Sequence, residues 1–147
     1  MEIKNFHSDY LESVRKLYLE SRIATFTWLD SSNFELTDFD RDTEGEQIWL
    51  AMVSDQVVGF ISIWQAEHFI HHLFVSPSCL RSGIGASLLA ISKQHYPALT
   101  LKCLVANQNA VDFYCSQGFK ITATVEDGAE SHHLMKYSVI TEECLQT

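Results

Sequence analysis

Basic charge is what this chain has least of. Ten lysines and arginines stand against 19 aspartates and glutamates, for a formal net charge of −9. No basic run interrupts that balance, so a surface built to neutralise nucleic-acid phosphates is disfavoured. A long hydrophobic run is missing too: none reaches the ~20 residues that a membrane span needs. The N-terminal Met1-Glu2-Ile3-Lys4-Asn5 lacks the basic-then-apolar pattern of a signal peptide. The four cysteines, Cys79, Cys103, Cys115 and Cys144, contain no C-x-x-C pair, which argues against a disulfide framework or a zinc site. Reduced thiols and a cytoplasmic location are expected. Only Pro77 and Pro97 break the chain, and there are no repeats or low-complexity tracts. The 147 residues are read as one domain, 1–147, large enough to close a core unaided.

What is there alternates between strand and helix patterns. Glu2 to Phe6 reads as an opening strand. Ser8 or Asp9 is placed to cap a helix carrying Tyr10, Leu11, Val14, Leu17 and Tyr18. A second helix is expected around Ser21 to Leu29. An acidic loop follows, with Asp30, Glu35, Asp38, Asp40, Asp42, Glu44 and Glu46 against the single Arg41. Ile48 to Val53 and Val57 to Trp64 flank a polar turn and read as a hairpin, and Phe69 to Val75 as another strand. A helix runs to about Gln94, a strand from Leu99 to Val105, and a short helix from Asn107 to Gln117. Lys120 to Val125 and His132 to Tyr137 close the chain as a hairpin. The order β-α-α-β-β-β-α-β-α-β-β implies an α/β fold around one mixed sheet flanked by helices.

Two stretches carry chemistry. In the first, Phe74-Val75-Ser76-Pro77 leads through Leu80, Arg81, Ser82, Gly83, Ile84, Gly85 and Ala86 into a helix. Glycines at a strand-to-helix junction let backbone N–H groups converge on an anion at the positive end of the helix dipole. The third glycine of a dinucleotide fingerprint is replaced by Leu88, and the P-loop lysine is missing. Dinucleotide and nucleoside-triphosphate chemistry are therefore disfavoured. The second stretch is Asn107-Gln108-Asn109-Ala110-Val111-Asp112-Phe113-Tyr114, followed by Gly118-Phe119.

Together these motifs resemble the GNAT superfamily of acyl-CoA-dependent N-acyltransferases. Its first signature is a strand ending V-x-P and then [Q/R]-x-x-G-x-[G/A]; its second is N-x-x-A-x-x-x-Y followed by G-F. The match runs from about Ile48 to Val125. One position departs: Leu80 stands where the family has glutamine or arginine, with Arg81 one place later.

The resemblance implies acetyl-CoA as co-substrate, a small-molecule or peptide amine as acceptor and a possible homodimer; composition and patterning argue against a metal, a nucleic-acid partner and a membrane partner. Leu80, Arg81, Ser82, Gly83, Ile84, Gly85 and Ala86 would cradle the pyrophosphate. Leu73, Phe74 and Val75 would bond the pantetheine like an added strand, and one of their N–H groups would polarise the thioester. Asn107 would bond the same arm or simply cap its helix. Tyr114 would protonate the departing thiolate; without the motif it would read as a core aromatic. The base is His71 or His72, with Glu67 and a water chain as a further option. Strand alternation puts His71 on the face of Leu73 and Val75 and His72 on the other, unless a bulge reverses them, and His71 is preferred.

Adjacent histidines on opposite faces would chelate poorly, so His68, His71, His72, His132 and His133 are read as surface or core residues. The acidic loop lies near the acceptor entrance or is merely solvated, and Phe26 and Trp28 line an acceptor pocket or the core. Cys79 and Cys115 have no base nearby in sequence, which favours transfer in a ternary complex. The rival readings are a non-catalytic acyl-CoA-binding module and a toxin acting on charged tRNA, the latter disfavoured by the acidity.

Overall fold

The computed structural model describes residues 1–26 and 30–139. Seven strands form one sheet in the order β1-β2-β3-β4-β5-β7-β6. They are β1 (Glu2–Asn5), β2 (Gln47–Val53), β3 (Gln56–Trp64), β4 (Phe69–Val75), β5 (Ala98–Leu104), β6 (Lys120–Val125) and β7 (His132–Ser138). The helices are α1 (Leu11–Thr25), α2 (Asp38–Asp42), α3 (Ile84–His95) and α4 (Gln108–Ser116). All pairings are antiparallel except β4 with β5. The expected element order and mixed sheet are both found.

Period-two alternation in β2 sends Trp49 and Ala51 to one face and Ile48, Leu50 and Met52 to the other. Each face has its own core. On the first, α3 brings Ile84, Leu88 and Leu89 against Ile61, Ile63, Leu99 and Leu101. Gly59 makes that packing possible: a Cβ there would lie 3.0 Å from Ile84 and 3.1 Å from the Phe74 carbonyl. On the second face, α1 buries Val14, Leu17, Tyr18 and Ser21, the i, i+3, i+4, i+7 stripe of an amphipathic helix, beside Phe39 and Phe60.

Two expectations for the N-terminal region are corrected. No helix begins at Ser21; α1 runs unbroken through it to Thr25 because its buried stripe continues through Ser21 and Arg22. The second helix is instead α2, a short turn inside the acidic segment, and Thr27, Trp28 and Leu29 lie outside the described residues. Nor do Ser8 and Asp9 cap α1. They form a 3-10 turn with Tyr10, and the His7 ring accepts from the Asp9 N–H at 3.1 Å.

Candidate functional site

The β4–β5 pairing is short. Phe69 meets Thr100 and Ile70 meets Leu101, and the ladder ends there. Beyond it, Leu73, Phe74 and Val75 on β4 and Lys102, Cys103 and Leu104 on β5 line opposite walls of a cleft of about 910 Å³. β4 is already paired with β3 and β5 with β7, so each strand offers one free edge to this opening.

At one end, the cleft reaches Leu80, Arg81, Gly83, Ile84, Gly85 and Ala86. Gly83 holds φ +84° as the N-cap of α3, with no side chain capping the helix, so its first N–H groups remain available to a ligand. Gly85 is needed for a different reason: a Cβ would stand 3.1 Å from the Phe113 ring. Arg81 also takes a left-handed φ of 64°, and its side chain and that of Leu80 are exposed. Ser82 stays out of the cleft lining and donates its hydroxyl to the Cys79 carbonyl.

Asn107 and Tyr114 both line the cleft. Asn107 caps α4, its side-chain oxygen accepting from the Ala110 N–H at 3.3 Å. Tyr114 packs between Phe113 and Phe119, and burial raises its phenol well above the usual tyrosine range, so it keeps its proton at neutral pH. The buried Cys103 thiol is pushed up to about 11, chiefly by burial, and is a poor nucleophile. Cys79 lies partly buried in the lining; Cys144 lies outside the described residues.

The histidines are not where plain alternation puts them. Ser62 pairs with His72 and Ile63 with Ile70, leaving His71 as the extra residue of a β-bulge. Their rings therefore share a face, 3.9 Å apart, rather than lying on opposite sides of β4. That face is the α1 side: His72 also packs on Tyr18 and Phe74, at 5.2 and 6.2 Å. Burial, helped by His71, lowers His72 to about 4, leaving it neutral. His71 is 44% exposed and contacts the Glu46 carboxyl through Nδ1 at 2.8 Å. The geometric objection to chelation therefore fails, because one ligand atom each from Glu46, His71 and His72 lie within 4.8 Å of one another. Glu67 is not part of the cleft lining.

Most of the acidic segment is engaged internally. Asp38 bonds Arg22 at 3.1 Å, Asp40 pairs with Arg15, and Asp42 accepts from the Tyr18 hydroxyl at 2.7 Å. Arg22 also stacks over the Tyr18 and Phe34 rings at 4.1 and 4.4 Å. Tyr18, Arg22 and Phe26 thereby form the wall of the cleft facing the histidines' side of the sheet. Sequence reasoning listed Glu46 only among loop acids and missed Arg22 altogether, since nothing in the spacing ties either residue to β4.

A family model described as an acetyltransferase (GNAT) domain matches residues 18–138. The peptidyl-lysine N-acetyltransferase YiaC of Escherichia coli is 37% identical over 75 residues. That alignment spans about half of each protein, 51% of this chain and 51% of the relative. The peptidyl-lysine N-acetyltransferase YjaB of the same organism is 29% identical over 134 residues, 88% of this chain and 90% of the relative. Its apo solution structure superposes with a TM-score of 0.73 at 25% identity, covering 95% and 98% of the two chains. The PaiA N-acetyltransferase of Thermoplasma acidophilum, solved with coenzyme A, shares the fold at a TM-score of 0.76 and 19% identity, covering 93% of this chain and 98% of that one. With the opened strand pair, the glycine-started helix and the matched domain in agreement, the chain belongs to the GNAT acetyltransferase family.

Proposed function

We propose that this protein is an acyl-CoA-dependent N-acetyltransferase that moves acetyl from acetyl-CoA directly to a lysine side chain of a peptide or protein. The observation that carries the reading is the cleft itself: two free strand edges that open onto the uncapped start of α3. The lysine acceptor is supported by the names of two relatives, both peptidyl-lysine N-acetyltransferases. The family membership supports acetyl-CoA, as does the coenzyme A held by the structural neighbour of the same fold.

The chain's own groups divide the work. The N–H groups at the start of α3 bind the pyrophosphate, and the free edge of β4 binds the pantetheine and polarises the thioester carbonyl. His71 takes a proton from the acceptor ammonium. With Nδ1 donating to Glu46, Nε2 carries the lone pair that accepts it. The amine nitrogen then attacks the carbonyl carbon, the C–S bond breaks, Tyr114 protonates the departing thiolate, and the proton still carried by the nitrogen returns to the Tyr114 oxygen. His72, held neutral, lends shape and no charge.

The test is a peptide assay. Incubation of the protein with acetyl-CoA and lysine-bearing peptides, read by mass spectrometry, is expected to add acetyl to the lysine side chain and release one thiol per acetyl. Acetyl-CoA binding without transfer to any amine would leave a non-catalytic acyl-CoA-binding module in its place.

A further inference from the structure

We infer that Glu46, His71 and His72 form a binding site for a divalent transition-metal ion of the Zn²⁺ type, and that an ion seated there blocks acetyl transfer. The β4 bulge is the first support. By placing consecutive histidines on one face with rings 3.9 Å apart, it creates a two-imidazole pair that a regular strand cannot offer. Glu46 completes a nitrogen–nitrogen–oxygen set whose ligand atoms lie within 4.8 Å of one another, close enough for small side-chain rotations to reach the ~2.0–2.2 Å bonds of zinc.

The second support is independent of that spacing. The Glu46 side chain is only 5% exposed, and its Oε1 is buried without a hydrogen-bond partner among the described residues. His72 Nε2 is likewise buried and unpartnered, and so is the hydroxyl of Ser62, opposite His72 in the strand register. Buried polar atoms of this kind are normally satisfied, and several orphans in one neighbourhood point to a ligand that the protein chain does not supply. An imidazole pair with one carboxyl suits zinc, copper(II) or nickel better than magnesium or calcium, which prefer all-oxygen shells.

His71 and His72 both line the cleft, so an ion held by them borders the space proposed for the acceptor amine. The ion binds His71 at Nδ1 in place of the proton shared with Glu46, the ring's proton moves to Nε2, and no lone pair is left there to accept the amine's proton. The blocking step rests on His71 acting as the base; the binding step does not.

The experiment uses the reduced full chain and the metal alone. Zn²⁺ is titrated calorimetrically into the wild type, Glu46→Gln, His71→Gln and, as control, His133→Gln on β7; Co²⁺ is then substituted as an optical probe. Binding of a single ion is expected, weakened at least about tenfold in Glu46→Gln and His71→Gln and unchanged in His133→Gln. The cobalt spectrum should show a four-coordinate ion without thiolate charge transfer. Turnover of the wild type should fall in proportion to occupancy and return with a chelator. Absent binding, binding indifferent to both substitutions, or a thiolate signature would overturn the site. Binding without inhibition would overturn the block, and with it the role of His71, while leaving the metal site in place. A protein that transfers acetyl to no amine would refute the acetyltransferase reading without touching the calorimetric result.

Discussion

The two halves of the cleft are built from different materials. The half proposed to hold the cofactor, formed by the end of β4, β5, α3, α4 and the glycine loop, works through backbone: free strand edges, a helix start without a capping side chain, and glycines where a Cβ would collide. The half proposed to receive the acceptor, formed by α1, α2, the end of the acidic segment and the bulged part of β4, works through side chains. There Arg22, Asp38, Tyr18, Asp42, His72, His71 and Glu46 are joined by hydrogen bonds, ring contacts and ion pairs. Backbone recognition needs a particular chain path and is therefore written locally, in motifs. Side-chain networks can be assembled from distant segments and leave no local trace.

The contrast can be broken most severely at Gly85. Glutamate there places a Cβ 3.1 Å from Phe113 and a carboxylate at the proposed pyrophosphate site, and acetyl-CoA binding is expected to drop at least about 100-fold by calorimetry, roughly 2.8 kcal/mol. Retained affinity would mean that the cofactor half does not depend on its backbone. Tyr114→Phe should lower kcat by about 100-fold or more while leaving the acetyl-CoA Kd within about twofold. Equal losses in both would reduce Tyr114 to a packing residue.

On the acceptor side, His71→Gln should cost about 100-fold in kcat/KM for the amine, with partial recovery at high pH, where more of the amine is already unprotonated. A pH-independent loss would assign His71 to binding. Next in size is a stability effect. Because burial lowers His72 to about 4, the unfolded chain takes up its proton first as pH falls. Its contribution is complete above about pH 6.5 and is lost on going down toward pH 4, by roughly 3 kcal/mol at most. Asp38 and Asp40 are held below the ordinary carboxylate range, by a backbone N–H and by Arg15 respectively, so their losses come at lower pH. Urea unfolding at stepped pH should lose the upper part of that slope in His72→Gln. The smallest effect is expected at Asn107→Ala, about 1 kcal/mol of stability for the lost α4 cap. A larger fall in acetyl-CoA affinity than in stability would show that Asn107 also bonds the cofactor.

Legibility in the sequence follows the same division. The strands from Gln47 onward, the glycine loop, α3 and α4 are readable because alternation, helical spacing and motif positions are local signals. The fold's N-terminal third was readable only in order. A helix was expected from Ser21, yet Ser21 and Arg22 continue the buried stripe of α1, and the turn of α2 lies among aspartates whose pairing with Arg15, Arg22 and Arg41 no spacing announces. The bulge at His71 depends on the partner strand: Ser62 faces His72 while Ile63 faces Ile70, a register that β4 alone does not contain. Glu46 lies 25 residues from His71 and was one acid among seven. Trp28, expected near the acceptor, falls outside the described residues.

The bulge also sets how this protein can diverge over generations. Removing the His71 codon would return β4 to plain alternation, keep His72 opposite Ser62, and strip Glu46 of its imidazole. β5, α3 and α4 would not have to move, since the β4–β5 ladder ends before the bulge, at Ile70. A single in-frame deletion at that point therefore changes the histidine pair and leaves the pairing of β4 with β3 and β5 in place.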